Sequence, residues 1–362
     1  MQLLTPYRNH DLALPNRIIM SPMTRLRSLP DGSPTPDVVD YYAQRAAAGL
    51  IITEGIWPHS TGQSEAWSPG LETEAHVDAW RRVTTAVHDN GGRIFAQLMH
   101  GGRKSHPLGR IDGSWPAGPS AVIDPDRVHL IEGGKADPIT PGVLSRDDIT
   151  AIVGQYAASA RKAIAAGFDG VEIHGANSYL VHQFLADNTN LRTDEYGGSI
   201  DNRMRAPLAI VDAVAAAIGS RRTAIRLSPG NPQFNMREDD PAPLYRELVD
   251  ELDRRELAYL HLIDNDDYPA LADLRPRWSG TLIANIGENR EPTDAEGAEA
   301  ALRDGLADLV SFGRAFIANP DLVERISRGL PLAPVREEGL YGRDAKGYTD
   351  YPAWSESELS RL

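Results

Sequence analysis

The 362-residue chain contains no cysteine. Disulfides, thiolate metal sites, iron–sulfur clusters and a cysteine nucleophile are therefore excluded, and the composition fits a reducing compartment. Lysine is scarce too. Lys104, Lys135, Lys162 and Lys346 are the only four, so nearly all of the 37 basic side chains are arginine. Acidic residues number 51, leaving a net charge of −14 that would repel a phosphate backbone and argues against a nucleic-acid partner. No apolar run approaches the roughly 18 residues needed to span a bilayer. The opening MQLLTPYRNHDLALPNRIIM lacks the uninterrupted apolar stretch of a signal peptide. The expectation is a cytoplasmic protein without membrane contact, monomeric or homodimeric.

The dominant pattern is a short apolar run followed by an amphipathic helical stretch, repeated eight times. Continuous runs rich in β-branched residues and leucine predict strands at 17–20, 50–53, 93–98, 170–174, 224–227, 259–263, 281–284 and 309–312. Helices are expected at 36–48, 73–90, 145–166, 201–218, 241–255, 268–278, 293–303 and 320–328. The sixth has the weakest pattern. Eight alternations imply a parallel sheet, and eight is the count that closes a barrel. An open doubly wound sheet is the rival, but no Gly-x-Gly-x-x-Gly follows the first strand. The predicted fold is thus an α/β (β/α)8 TIM barrel, with residues 1–362 as a single domain. The first ~15 residues precede strand one and are expected to plug the barrel bottom. Residues 101–144, rich in Gly, Pro and Ser, break the rhythm and are expected to cap the site as a lid.

Active sites in such barrels lie at the carboxyl ends of the strands. In turn, the strand ends carry Ser21-Pro22-Met23-Thr24, Glu54-Gly55, Gln97 with His100, His174 with Asn177 and Tyr179, Arg226, Asp264-Asn265, Asn285-Ile286 and Gly313-Arg314. None is a lysine, which argues against a Schiff-base aldolase. No carboxylate or histidine cluster has metal spacing, so no metal is expected. What remains is a ring of neutral hydrogen-bonders, two arginines and a tyrosine. That set suits a large planar polar ligand with a phosphate tail, the phosphate resting on Gly313-Arg314 and the backbone after strand seven. On position alone, His174 could be a satisfied strand-end histidine, Tyr179 a rim packer, Arg226 a partner of Glu172 and Arg314 a helix cap. His100 is balanced between structural support and ligand contact, and Trp57 and Trp67 between packing and pocket.

The stretches LPNRIIMSPMTRLRS, YYAQRAAAGLIITEG, GGRIFAQLMHGGRKS, AGFDGVEIHGANSYLVHQFL, NTNLRTDEYGGSIDNR, IRLSP, SFGRAFIANPDL and GYTDYP carry a resemblance. Nearly end to end, the chain resembles the old yellow enzyme family of FMN-dependent ene-reductases. The resemblance implies tightly bound, non-covalent FMN and NADPH or NADH as reductant. It assigns Thr24 to the flavin O4, and Pro22, Met23 and Gly55 to backbone contacts along the ring. Gln97 falls at the pyrimidine edge, and Arg226 near N1 and O2, where reduction develops negative charge. Asn285, Ile286, Gly313 and Arg314 fall to the phosphate. His174 and Asn177 should bind the carbonyl or nitro oxygen of an unsaturated substrate, with Tyr179 protonating its α-carbon after hydride reaches the β-carbon, in ping-pong turnover.

The chain also departs from the pattern. Asn177 stands where some members have a second histidine, and Thr24 where some have cysteine. Met99 replaces a common tryptophan, which should widen the pocket, and Ile286 replaces a common glycine. Residues 288–293 look slightly long, a pocket tyrosine is missing near Ser64–Trp67, and Tyr341 matches an aromatic residue supplied by the C-terminal tail. These differences leave room for two alternatives: an FMN-dependent oxidase, dehydrogenase or isomerase of one dedicated metabolite, and a nitrate-ester or nitro-compound reductase.

Overall fold

The computed structural model describes residues 1–287 and 293–354. Eight strands form its centre: β1 Ile18–Met20, β2 Leu50–Ile56, β3 Ile94–Leu98, β4 Gly170–Gly175, β5 Thr223–Leu227, β6 Leu260–Ile263, β7 Leu282–Asn285 and β8 Leu309–Phe312. Each pairs in parallel with its neighbour in sequence, and β8 pairs with β1, so the sheet closes into a barrel. The (β/α)8 expectation is therefore borne out. The largest strand difference is in β2, which runs on past Thr53 to Ile56 through a register shift between Ile52 and Gly55. The extra residues let Gly55 pair opposite Gln97.

The helices are α1 Pro36–Ala43, α2 Glu74–Asp89, α3 Arg146–Ala165, α4 Leu180–Leu185, α5 Ile200–Ile218, α6 Pro241–Asp253, α7 Ala270–Leu274, α8 Ala295–Arg303, α9 Arg314–Ala318 and α10 Leu322–Arg328. Local chemistry sets their ends. Ser145 and Thr73 start α3 and α2 as capping boxes, each hydroxyl accepting the backbone N–H three residues on. After α1 the chain continues as tight turns, Ala46 to Ala43 and Ala48 to Arg45, so this helix is shorter than the periodicity predicts. The weak sixth helix is a single turn, α7, followed by a 3-10 turn through Pro276, whose ring cannot continue the α-helical ladder. Of the segment 288–293, expected to be slightly long, residues 288–292 lie outside the described residues.

Side chains alternate in and out along each strand, so the barrel interior fills in layers. The lower layer is apolar: Ile19, Leu50, Ile52, Phe95, Ala224, Tyr259, Ile283 and Leu309 pack together. An antiparallel hairpin, Tyr7–Asn9 with Leu12–Leu14, closes that end by adding Tyr7 and Leu14 to the cluster, as the plug expectation required. A larger apolar layer fills the space between strands and helices. Segment 101–144 holds a 3-10 turn at Pro107–Gly109, a parallel pair of Ala117–Gly118 with Gly142–Val143, and a hairpin of Val128–His129 with Lys135–Ala136. Among the described residues no helix is long and apolar enough to cross a membrane.

Candidate active site

Above the apolar layer the inward positions turn polar. Gln97, Arg226 and Asn285 come from β3, β5 and β7, and His174 from the tip of β4. They form the floor of a cavity of about 630 Å³, a size suited to a cofactor-scale ligand. Its walls include Pro22, Met23 and Thr24 after β1, Gly55 on β2, Met99 after β3, Asn177 and Tyr179 after β4, and Gly313 and Arg314 after β8. Tyr341 closes one side from the C-terminal tail, half its surface still exposed. The structure thus gathers every sequence-predicted site residue into one cavity except Ile286. That side chain packs on the core, near Gly297 of α8, and its carbonyl accepts from Thr293.

Several buried polar atoms of residues that line the cavity have no protein partner. Arg226 spends Nη2 on Asn285 Oδ1 at 2.6 Å, yet its Nε finds no acceptor. His174 Nδ1 and Ser21 Oγ are likewise unpartnered. Buried polar atoms left single are costly, so this cluster indicates a polar ligand. Burial lowers Arg226 to about 10, which still leaves it cationic near neutrality. Burial, reinforced by the Arg226 charge, holds His174 well below the usual imidazole range. Gly55 matters by what it lacks: a Cβ there would lie 2.5 Å from Met99 Sδ. Met99 therefore packs into the space beside Gly55.

Asn177 and Tyr179 project from a turn that must be held. Asn177 and Ser178 both adopt left-handed backbone, φ 55° and 68°, which disfavours non-glycine residues. Their amides are satisfied by side chains: Asn177 N–H donates to Ser228 Oγ at 3.1 Å and Ser178 N–H to His182 Nδ1 at 3.2 Å. His182 is fixed in turn by Glu238 at 3.1 Å, itself bonded to Tyr245 and the Gly230 N–H. Tyr179 then caps α4, its ring against His174. Burial, helped by the Glu65 charge, pushes its phenol far above the usual range, so the hydroxyl keeps its proton.

Other positions resolve differently from the sequence reading. His100 is buried behind the site, its Nδ1 accepting the Gly102 N–H and its carbonyl the Leu180 N–H. Burial lowers it to about 3. Trp57 is packing, wedged between Gly32 and Gly70. Trp67 lies under the Arg343 guanidinium. Arg226 makes no direct ion pair with Glu172, although it feels that charge. Sequence reasoning missed Glu65, Lys104, Asp126, Arg127, His129 and Lys135, which line the cavity mouth from the segment after β2 and from the 101–144 insertion with its hairpin. Lys104 pairs with Asp126 at 2.6 Å and Glu65 with His129 at 2.9 Å. Loops lack periodicity, so only proximity in the fold reveals them. Among the described residues no group of three or more His, Asp or Glu side chains could hold a metal ion.

Comparison with known proteins gives the same picture over nearly the whole chain. The model of the NADH:flavin oxidoreductase / NADH oxidase family matches residues 2–333. A probable flavin mononucleotide-dependent alkene reductase of Leishmania infantum is 41% identical over 345 residues, 93% of each chain. The 12-oxophytodienoate reductase 1 of Oryza sativa subsp. japonica is 38% identical, covering 97% of this chain and 92% of its own. Among solved structures, morphinone reductase superposes with a TM-score of 0.93 at 44% identity, over 98% of this chain and 97% of its own. The old yellow enzyme homologue from Zymomonas mobilis also reaches 0.93, at 38% identity over 98% and 100%. With the barrel, the cavity and these likenesses in agreement, the chain belongs to the NADH:flavin oxidoreductase / NADH oxidase family, among the old yellow enzymes.

Proposed function

We propose that the cavity binds FMN and that the chain is an ene-reductase, reducing an activated carbon–carbon double bond at the expense of NADPH or NADH. The observation that carries this is the unpartnered Arg226 Nε beside Gln97 at the floor of a cavity of about 630 Å³. The amide and the cation suit the pyrimidine edge of a flavin. Thr24 and the backbone of Pro22, Met23 and Gly55 would meet the rest of the ring. Gly313, exposed Arg314 and Asn285 would hold the phosphate, with the backbone at Ile286 as the remaining predicted contact.

Bound FMN supplies two-electron hydride chemistry. His174 and Asn177 bind the oxygen of the electron-withdrawing group and draw charge toward it, which makes the β-carbon electrophilic. A neutral imidazole suits this, because it donates one N–H without fixing a full charge in the site. Tyr179 delivers a proton to the α-carbon as charge builds there; its buried phenol is a poor acid until that basic carbon forms. Met99 and Tyr341 bound the substrate.

We take residues 1–362 as one domain, with 101–144 as its lid, since the 128–136 hairpin supplies His129 and Lys135 to the cavity mouth. A cytoplasmic location accords with the cysteine-free composition.

The test is anaerobic. The purified chain, supplied with FMN, should be yellow, bleach with NADPH or NADH, and recolour with cyclohexenone. A chain that binds no FMN in excess overturns the reading. Bleaching that no enone reverses leaves a flavoenzyme of another reaction.

A further inference from the structure

One layer below the cavity floor, three fully buried polar side chains cross the barrel: Glu172 on β4, His261 on β6 and Ser311 on β8. They come from alternate strands, the geometry of a barrel layer. Glu172 Oε2 lies 2.9 Å from His261 Nδ1, and His261 Nε2 lies 2.9 Å from Ser311 Oγ. The other carboxylate oxygen, Oε1, lies 2.7 Å from Nε2 of Gln97, a cavity residue. Aliphatic side chains would fill this layer without the desolvation cost of a carboxylate. The acid group therefore calls for an explanation that packing does not give.

A carboxylate only accepts hydrogen bonds, so its neighbours must donate. Gln97 must then point its nitrogen down at Glu172, which leaves the amide oxygen as its free acceptor. His261, kept neutral by burial, then carries its proton on Nδ1 and accepts from Ser311 at Nε2, the Ser311 hydroxyl favouring this 2.9 Å contact over the Ala284 carbonyl at 3.3 Å. The same carboxylate attracts Arg226 from below, while the Arg226 Nε is left free at the floor.

We propose that Glu172 is a positioning residue for the cavity floor: it fixes the donor–acceptor order of Gln97 and offsets part of the Arg226 charge. The proposal rests on the FMN reading. Negative charge placed at the floor by two-electron reduction is drawn by Arg226 and opposed by Glu172. The opposition shifts the redox equilibrium toward the oxidised side relative to a floor with Arg226 alone.

The holoenzyme of Glu172→Gln, which keeps the shape and removes the charge, is titrated anaerobically against a reference redox dye. At equal poise its ratio of reduced to oxidised cofactor should rise at least ~10-fold over wild type, the scale expected of one interior charge. Glu172→Asp, which keeps the charge, should stay within ~3-fold. A wild-type chain that takes up no FMN defeats the underlying reading and the proposal with it. A wild type that binds FMN, beside a Glu172→Gln protein of unchanged poise, overturns this proposal alone. If Glu172→Gln does not fold, ¹⁵N NMR of His261 in the wild-type holoenzyme decides: the Nδ1–H tautomer is expected, and the Nε2–H tautomer overturns the assignment.

Discussion

The rings of His174 and Tyr179 lie 5.0 Å apart between centroids and 46° from coplanar, although one ends a strand and the other caps a helix. The imidazole proposed to bind the substrate oxygen and the phenol proposed to supply the proton thus line the same cavity. Replacing the phenol by Tyr179→Phe removes the proton and leaves the ring contact. Recolouring of the reduced enzyme by enone should slow by ~10²–10⁴-fold, while bleaching by the nicotinamide stays unchanged. Stopped-flow absorbance separates the two half-reactions, and undiminished recolouring would take Tyr179 out of the donor role.

The C-terminal tail is held by arginines that directly follow the Thr24 loop. Arg27 donates to the carbonyls of Asp344, Gly339 and Lys346 at 2.8–2.9 Å, and Arg25 to those of Leu340 and Gly347. The Arg27 guanidinium also covers Tyr348, which stacks on Tyr41 at 4.0 Å. Arg27→Met strands these carbonyls and should cost ~2–4 kcal/mol, read as a lower denaturation midpoint. Tryptic cleavage after Arg336, Arg343 or Lys346 should accelerate, and the KM for enone should rise more than kcat falls, since Tyr341 rides on the same segment. Wild-type protease resistance would show that the tail is anchored elsewhere.

Stability should depend on pH with a definite sign. His100, His174 and His261 are all depressed by burial, His100 to about 3. The unfolded chain takes up protons near 6.5 that the fold refuses, so stability falls as pH drops below that value. Each group contributes about 1.4 kcal/mol per pH unit at most. Glu54 works the other way. Burial raises it from 4.5 to about 7, so between those values the fold holds a proton the unfolded chain has lost, and rising pH destabilises. Glu54→Gln should therefore steepen the acid loss by about one proton between roughly pH 5 and 6.5, measured as urea midpoints. A flat wild-type profile across that interval would contradict the burial of the three imidazoles.

The barrel was legible because its signals are local. Parallel strands buried on both faces read as unbroken apolar runs, and helix ends carry caps such as Ser145 and stops such as Gly219. The floor was legible because strand ends are fixed points of the fold, so Gln97, His174, Arg226 and Asn285 could be placed by counting. Ile286 falls outside the cavity lining because its place after β7 does not fix where its side chain turns, and that side chain packs on the core. The mouth residues Glu65, Arg127 and His129 were invisible, since they meet only when a long insertion folds back. The Glu172–His261–Ser311 crossing was hidden for another reason: its partners sit on alternate strands dozens of residues apart, and no spacing rule links them.

The hairpin under the barrel has a last consequence. Among the described residues, Tyr7, Leu14 and the apolar layer they complete pack the barrel closed beneath the cavity. A nicotinamide and an enone that both need this floor must therefore take turns above it. Rivalry between electron giver and electron taker is thus built into the architecture, and crowding by either should stall the other.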